Sequence, residues 1–151
     1  MKKIRILSVL LMLGILFVSC DKEQKNEWER HYGYTNAEIT GSYSNSNVDG
    51  AFDGLTESLY CHVCNDARIT ITSESENMVQ FSIKSNKAEL NASLEGNPSL
   101  NDDDFLVTLV DSSYELTAYV YTNASGQIRL HGFVRTYYPG LVNYYFDVIK
   151  N

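Results

Sequence analysis

Cys61-His62-Val63-Cys64 is the sharpest concentration of reactive side chains in the chain. Two thiols around an imidazole could attach haem, exchange disulfides or hold zinc. Haem attachment requires His directly after the second cysteine, and Asn65 stands there. A thioredoxin-type redox pair requires a strand-to-helix junction whose amides depress the pKa of the first thiol. Residues 57–63 read as a strand with a turn at Asn65-Asp66, so that setting is missing. Zinc would need a second ligand pair at metal-site spacing, and His31 and His131 are distant and isolated in sequence. The expectation is therefore a structural disulfide between Cys61 and Cys64 in an oxidising compartment. Reduced, inert thiols are the alternative. So short a loop would contribute about 2 kcal/mol at most.

Asn101-Asp102-Asp103-Asp104 is the densest charge cluster. Its oxygens suit Ca²⁺, but the glycine and distal glutamate of an EF-hand loop are absent, and a solvated loop is the expected reading. No two acids sit in a motif that would set a carboxylate separation for hydrolysis. Neither His62 nor His131 has an identifiable Ser, Cys or Asp partner, and no glycine-rich phosphate loop occurs. No metal, cofactor or catalytic residue is expected, and the chain reads as a non-enzyme.

Tyrosine is frequent, with 11 in the chain, and only Pro98 and Pro139 interrupt it, a composition suited to paired strands. Tyr119 and Tyr121 share one face of a segment whose other face carries Leu116, Ala118 and Val120. Tyr144 lies in the aromatic terminal segment. These three are the candidate ligand-facing aromatics. Cross-strand pairing is the ordinary use of such rings.

The segments that must position these residues alternate with period two and are divided by turn chemistry. Residues 39–44, 57–63, 68–73, 78–85, 88–94, 105–111, 114–122, 127–138 and 142–150 read as strands, and Asn123-Ala124-Ser125-Gly126 is a strong hairpin signal. No internal helix is expected beyond a possible turn around Glu27 to Arg30. About eight antiparallel strands with short connections make an up-and-down meander, closed as a barrel or, alternatively, folded as a β-sandwich.

Upstream, Met1-Lys2-Lys3-Ile4-Arg5 is a cationic head, followed by about 13 apolar residues from Ile6 to Val18. That run is shorter than the roughly 20 residues of a spanning helix and describes a secretory signal. Phe17-Val18-Ser19-Cys20 resembles the lipobox of bacterial lipoproteins, with Phe17 where an aliphatic residue is preferred. The resemblance implies cleavage after residue 19 and acylation of Cys20. Asp21-Lys22-Glu23 behind the cysteine resembles Bacteroidetes-type lipoproteins and implies an outer-membrane address, with the periplasmic or the cell-surface face left open. Three acyl chains would hold the protein permanently, since two signals already suffice for stable anchoring. The expected organisation is a signal over 1–19, an acylated cysteine and polar tether over 20–38, and one domain over 39–151.

Gly41-Ser42-Tyr43, together with the closing stretch Gly132-Phe133-Val134-Arg135 through Tyr145-Phe146-Asp147-Val148-Ile149-Lys150, resembles small lipocalin-like or calycin-like lipoproteins. Tyr43 takes the place of the first-strand tryptophan. In that family a basic residue packs over the first-strand aromatic, which implies Arg135 as its partner here.

Without the signal the chain has 9 basic and 19 acidic residues, a formal charge of −10. That charge excludes nucleic acid, whose phosphates need Lys and Arg, and leaves membrane attachment to the lipid. The expected function is a binding module for a small apolar ligand or a glycan. A cell-envelope protein-interaction or inhibitor module is the alternative.

Overall fold

A computed structural model describes residues 27–151 except 32, 76, 99–105 and 139. The expected signal over 1–19, Cys20, the Asn101–Asp104 cluster and Pro139 lie outside the described residues. Ten strands form one sheet: β1 (Glu29–Arg30), β2 (Gly41–Asn45), β3 (Cys61–Val63), β4 (Arg68–Ser75), β5 (Met78–Ser85), β6 (Leu90–Gly96), β7 (Leu106–Val110), β8 (Tyr114–Thr122), β9 (Ile128–Thr136) and β10 (Val142–Lys150). One short helix, α1 (Asn36–Ile39), precedes β2.

Two antiparallel meanders, β4–β5–β6 and β7–β8–β9–β10, are joined through β2, which pairs with both β4 and β10. First and last long strands thus meet, as in an up-and-down barrel. The sheet curls into a half-barrel, consistent with a lipocalin-like barrel, rather than splitting into a sandwich. β6 and β7 share no ladder, although Leu109 packs onto Gly96.

Alternation drives the curl. Tyr43, Ile69, Ile71, Val79, Phe81, Ile83, Leu116, Ala118, Val120, Leu130, Val134, Phe146 and Val148 all point inward and are at most 1% exposed. Burying each of the larger ones is worth about 1.5–3 kcal/mol. Gly132 sits between Ala118 and Phe146, and a Cβ there would strike the Thr117 carbonyl oxygen and lie 2.5 Å from the Ala118 Cα. Gly132→Ala is accordingly expected to destabilise the domain by about 3 kcal/mol, read from urea unfolding. A change below about 0.5 kcal/mol would show that β8 and β9 can separate freely.

Several expectations need correction. Part of the 20–38 tether belongs to the fold: β1 pairs with β8, and Tyr34 is buried with its hydroxyl donating to the Pro98 carbonyl at 3.1 Å. Glu29-Arg30 is strand and not helical turn, because the free edge of β8 beyond β7 offers unpaired backbone groups. A helix does exist at Asn36–Ile39, held by a capping box. Thr35 Oγ1 accepts from the Glu38 amide at 3.2 Å, and the Thr35 amide donates to Glu38 Oε2 at 2.6 Å. The segment 57–63 contributes only β3, and β3 runs parallel to β10, not antiparallel within the meander. Arg135 does not cover Tyr43. Tyr43 donates instead to the Ile39 carbonyl at 2.6 Å, and Lys150, which pairs with Tyr43 across the strands, donates to the Glu38 carbonyl at 2.7 Å.

Candidate functional site

The outer face of β8, β9 and β10 gathers the polar and aromatic side chains that alternation turns away from the core. Register places them in four rows: Glu115–Arg135–Asn143, Thr117–Phe133–Tyr145, Tyr119–His131–Asp147 and Tyr121–Arg129–Ile149. Asp147 is 1% exposed although it lies on this outer face. Arg129 resolves that cost with a bidentate pair, Nε to Oδ1 and an Nη to Oδ2, both at 2.7 Å. The guanidinium in turn lies 5.3 Å from the Tyr121 ring centre and 5.8 Å from that of Trp28, just ahead of β1. Arg30 covers Tyr119 at 4.5 Å, and Tyr119 meets Tyr121 edge to face at 6.5 Å. A second cluster closes the other end of the face. There Arg135 donates to Asn143 and Glu115, and the Tyr137 hydroxyl donates to Glu115 at 2.6 Å.

His131 stands beside the buried pair, its Nδ1 3.9 Å from Asp147 Oδ1 and without a hydrogen-bond partner. Burial pushes the imidazole below its ordinary pKa; the Asp147 carboxylate opposes this and Arg129 reinforces it. Protonation is therefore disfavoured in the fold. The stability so gained is complete above the unfolded value of about 6.5 and is lost as pH falls toward the folded value. Melting temperature should decline as pH falls below about 6.5, and less steeply in His131→Gln. Equal slopes would remove His131 from that role. Glu38 and Asp66, held low by their hydrogen bonds, lose their contributions only further into acid.

Beyond the rows, a groove of about 510 Å³ runs between the segment before β1, the loop after β2, and the ends of β9 and β10. Trp28, Val48 and Ile149 supply apolar surface there, while Glu27, Asp49 and Gln127 supply oxygen and nitrogen. Gln127 is set by the β8–β9 hairpin: Asn123 Oδ1 accepts from the Ser125 and Gln127 amides, Asn123 Nδ2 donates to Gln127 Oε1 at 2.8 Å, and Gly126 takes φ 76°. An adjoining polar depression of about 490 Å³ is lined by residues 45–53 and Asn65. Neither opening is lined by an inward-facing residue of β8 or β9. Among the described residues no group of three or more His, Cys, Asp or Glu is placed to hold a metal.

The expected site residues separate. Tyr119 and Tyr121 do share the outer face. Tyr144 lies on the opposite face, packed against the core with its ring 5.3 Å from His62, so the three tyrosines form no common surface. Cys61 and Cys64 are free thiols, and the expected disulfide is not formed. The chain from Cys61 is extended and pairs with β10 through the Cys64 amide, at 2.8 Å from the Tyr145 carbonyl. Three extended steps span about 10 Å, beyond the roughly 7 Å a disulfide tolerates. Burial pushes the Cys64 thiol up to about 11. Thiol labelling of the native protein should therefore reach half-buried Cys61 and spare Cys64 until unfolding. Labelling at neither site without reductant, and at both after reduction, would instead establish the bond.

Trp28, Arg129 and Asp147 were not singled out by sequence reasoning, and His131 was left without the Asp147 neighbour it has. The available signal was one acid inside an apolar terminal strand, in register to face outward between Phe146 and Val148. No protein family, curated protein or solved structure matches the chain.

Proposed function

We propose that this protein is a lipid-anchored cell-envelope binding module, non-enzymatic, that takes a glycan on the outer face of β8–β10. One observation carries the reading: the inward side chains at the centre of these strands, Leu116, Val120, Leu130, Val134, Phe146 and Val148, are 0% exposed, whereas the ring, guanidinium and carboxylate groups collect outside. An apolar ligand inside the barrel would have to displace that packing, at a cost of several side chains' burial. In this reading Cys20 supplies the anchor, and the resemblance of Asp21-Lys22-Glu23 to Bacteroidetes-type lipoproteins supports an outer-membrane address.

Thermal-shift screening of the purified lipoprotein against oligosaccharides and lipids tests the reading. An oligosaccharide at 100 times its Kd adds about 2.7 kcal/mol to native stability. Stabilisation by oligosaccharides is the expected result. Stabilisation by lipids alone would return the ligand to the barrel interior.

A second reading, a protein-interaction module, has its own observation. Leu59, Tyr60, Tyr138 and Leu141 are 81%, 66%, 87% and 59% exposed. They gather where β10 begins, because the Asn143 amide donates to the Tyr60 carbonyl at 3.0 Å. This apolar tip lies at the end of the sheet opposite Trp28.

A further inference from the structure

We infer that the groove beside Trp28 is the saccharide subsite, and that it takes a neutral sugar presented close to the membrane that anchors the protein. This rests on the glycan-binding reading and adds the place, the charge class and the orientation.

The groove's volume of about 510 Å³ falls within the range of about 300–1,000 Å³ typical of small-ligand sites. Its composition is that of a sugar platform. Trp28 offers an aromatic surface whose negative quadrupole attracts the C–H face of a pyranose. Val48 and Ile149 extend the apolar floor, and Glu27, Asp49 and Gln127 ring it with groups that accept or donate to hydroxyls. The platform is braced from the sheet, since Arg129 lies 5.8 Å from the Trp28 ring centre and is itself fixed by two bonds to Asp147. That bracing lowers the entropy lost on binding.

Charge selects the class. The lining holds two carboxylates and no Lys or Arg, and Arg129 nearby is already neutralised by Asp147. The chain without its signal carries −10. An acidic sugar would meet repulsion without a compensating cation, so the occupant is neutral.

Reach selects the place. Only six residues, seven Cα-to-Cα steps, separate Cys20 from Glu27, so the groove can stand no more than about 25 Å from the acylated cysteine. The apolar tip, at the far end of the sheet, points away. A neutral glycan at that height is either the headgroup of a membrane lipid or a free oligosaccharide passing the surface.

Trp28 is the only tryptophan in the chain, so its emission reports on the groove alone. The full acylated protein in detergent micelles is titrated with neutral mannan, xylan, galactan and chitin fragments, and with polygalacturonate as the acidic comparison. The same neutral sugars are offered as glycolipid headgroups in nanodiscs, and the arm that binds more tightly names the source. Concentrations reach about 10 mM, tenfold above a weak millimolar Kd. The expected result is a saturable change in Trp28 emission with at least one neutral sugar and none with polygalacturonate. Trp28→Ala, followed by calorimetry, should lose tenfold or more in affinity, and Trp28→Phe should recover part of it. Sugars that raise the melting temperature without moving Trp28 emission, with Trp28→Ala binding normally, would overturn the groove and leave the module reading intact. A response to polygalacturonate alone would overturn the neutral class. Silence in both emission and melting temperature would overturn the groove and the glycan reading together.

Discussion

Arg129→Ala should destabilise the domain by about 3–5 kcal/mol, the usual cost of leaving a buried charge without its partner. Asp147 has a side chain that is 0% exposed, and both of its oxygens accept from Arg129. Removal of the guanidinium strands that carboxylate between β9 and the loop after β2, where the Ser46 amide already donates to the Asp147 carbonyl. It also removes the cation stacked near Trp28 and Tyr121. At this chain length the melting temperature should fall by about 10–20 °C. The double variant Arg129→Met with Asp147→Leu is expected to recover most of the loss, because an apolar pair of similar volume avoids the desolvation cost. Loss of less than about 1 kcal/mol in Arg129→Ala would mean that water reaches Asp147 and that the outer face is looser than described.

Cys20→Ala should be equally decisive at the level of the cell. An acylated cysteine is the one anchor in this reading, and a chain that carries −10 once residues 1–19 are removed has no electrostatic hold on an anionic leaflet. Metabolic labelling with radiolabelled palmitate should mark the wild-type protein and not the variant. Fractionation should find the wild type wholly in the outer membrane, whereas the variant should appear without lipid. Labelling that survives the substitution would place the lipid on another residue and undo the lipoprotein reading.

The fold was legible where alternation is long and turns are chemically explicit. Tyr114–Thr122 and Val142–Lys150 were read with the bounds they have, because nine residues of alternating polarity admit few other registers. Asn123 to Gly126 formed the expected hairpin. Short elements were lost for an equally physical reason. Thr35-Asn36-Ala37-Glu38 carries a capping box in plain sight, yet a four-residue helix has no amphipathic period to confirm it. β1 consists of two residues whose pairing is decided by a vacant edge on β8, about ninety positions away, which no local pattern records.

The candidate site was less legible than the fold. Tyr119 and Tyr121 were found from their shared face, whereas Tyr144 is in step with Phe146 and Val148 and so lies on the opposite face. Trp28 looked like tether. Its role follows from β1 docking and from Arg129 beneath it, both tertiary facts. The Cys61–Cys64 spacing suggested a bond, while the parallel ladder with β10 keeps the chain extended and the thiols apart.

Methyl-selective NMR of the protein with its most stabilising oligosaccharide tests the central claim most directly, that the proposed ligand sits outside the half-barrel and not within it. Val48 and Ile149 methyls line the groove, whereas those of Leu116, Val120, Leu130, Val134 and Val148 fill the interior. The expected result is a saturable shift of Val48 and Ile149 with the interior methyls unmoved. Shifts concentrated on the interior methyls would contradict the account.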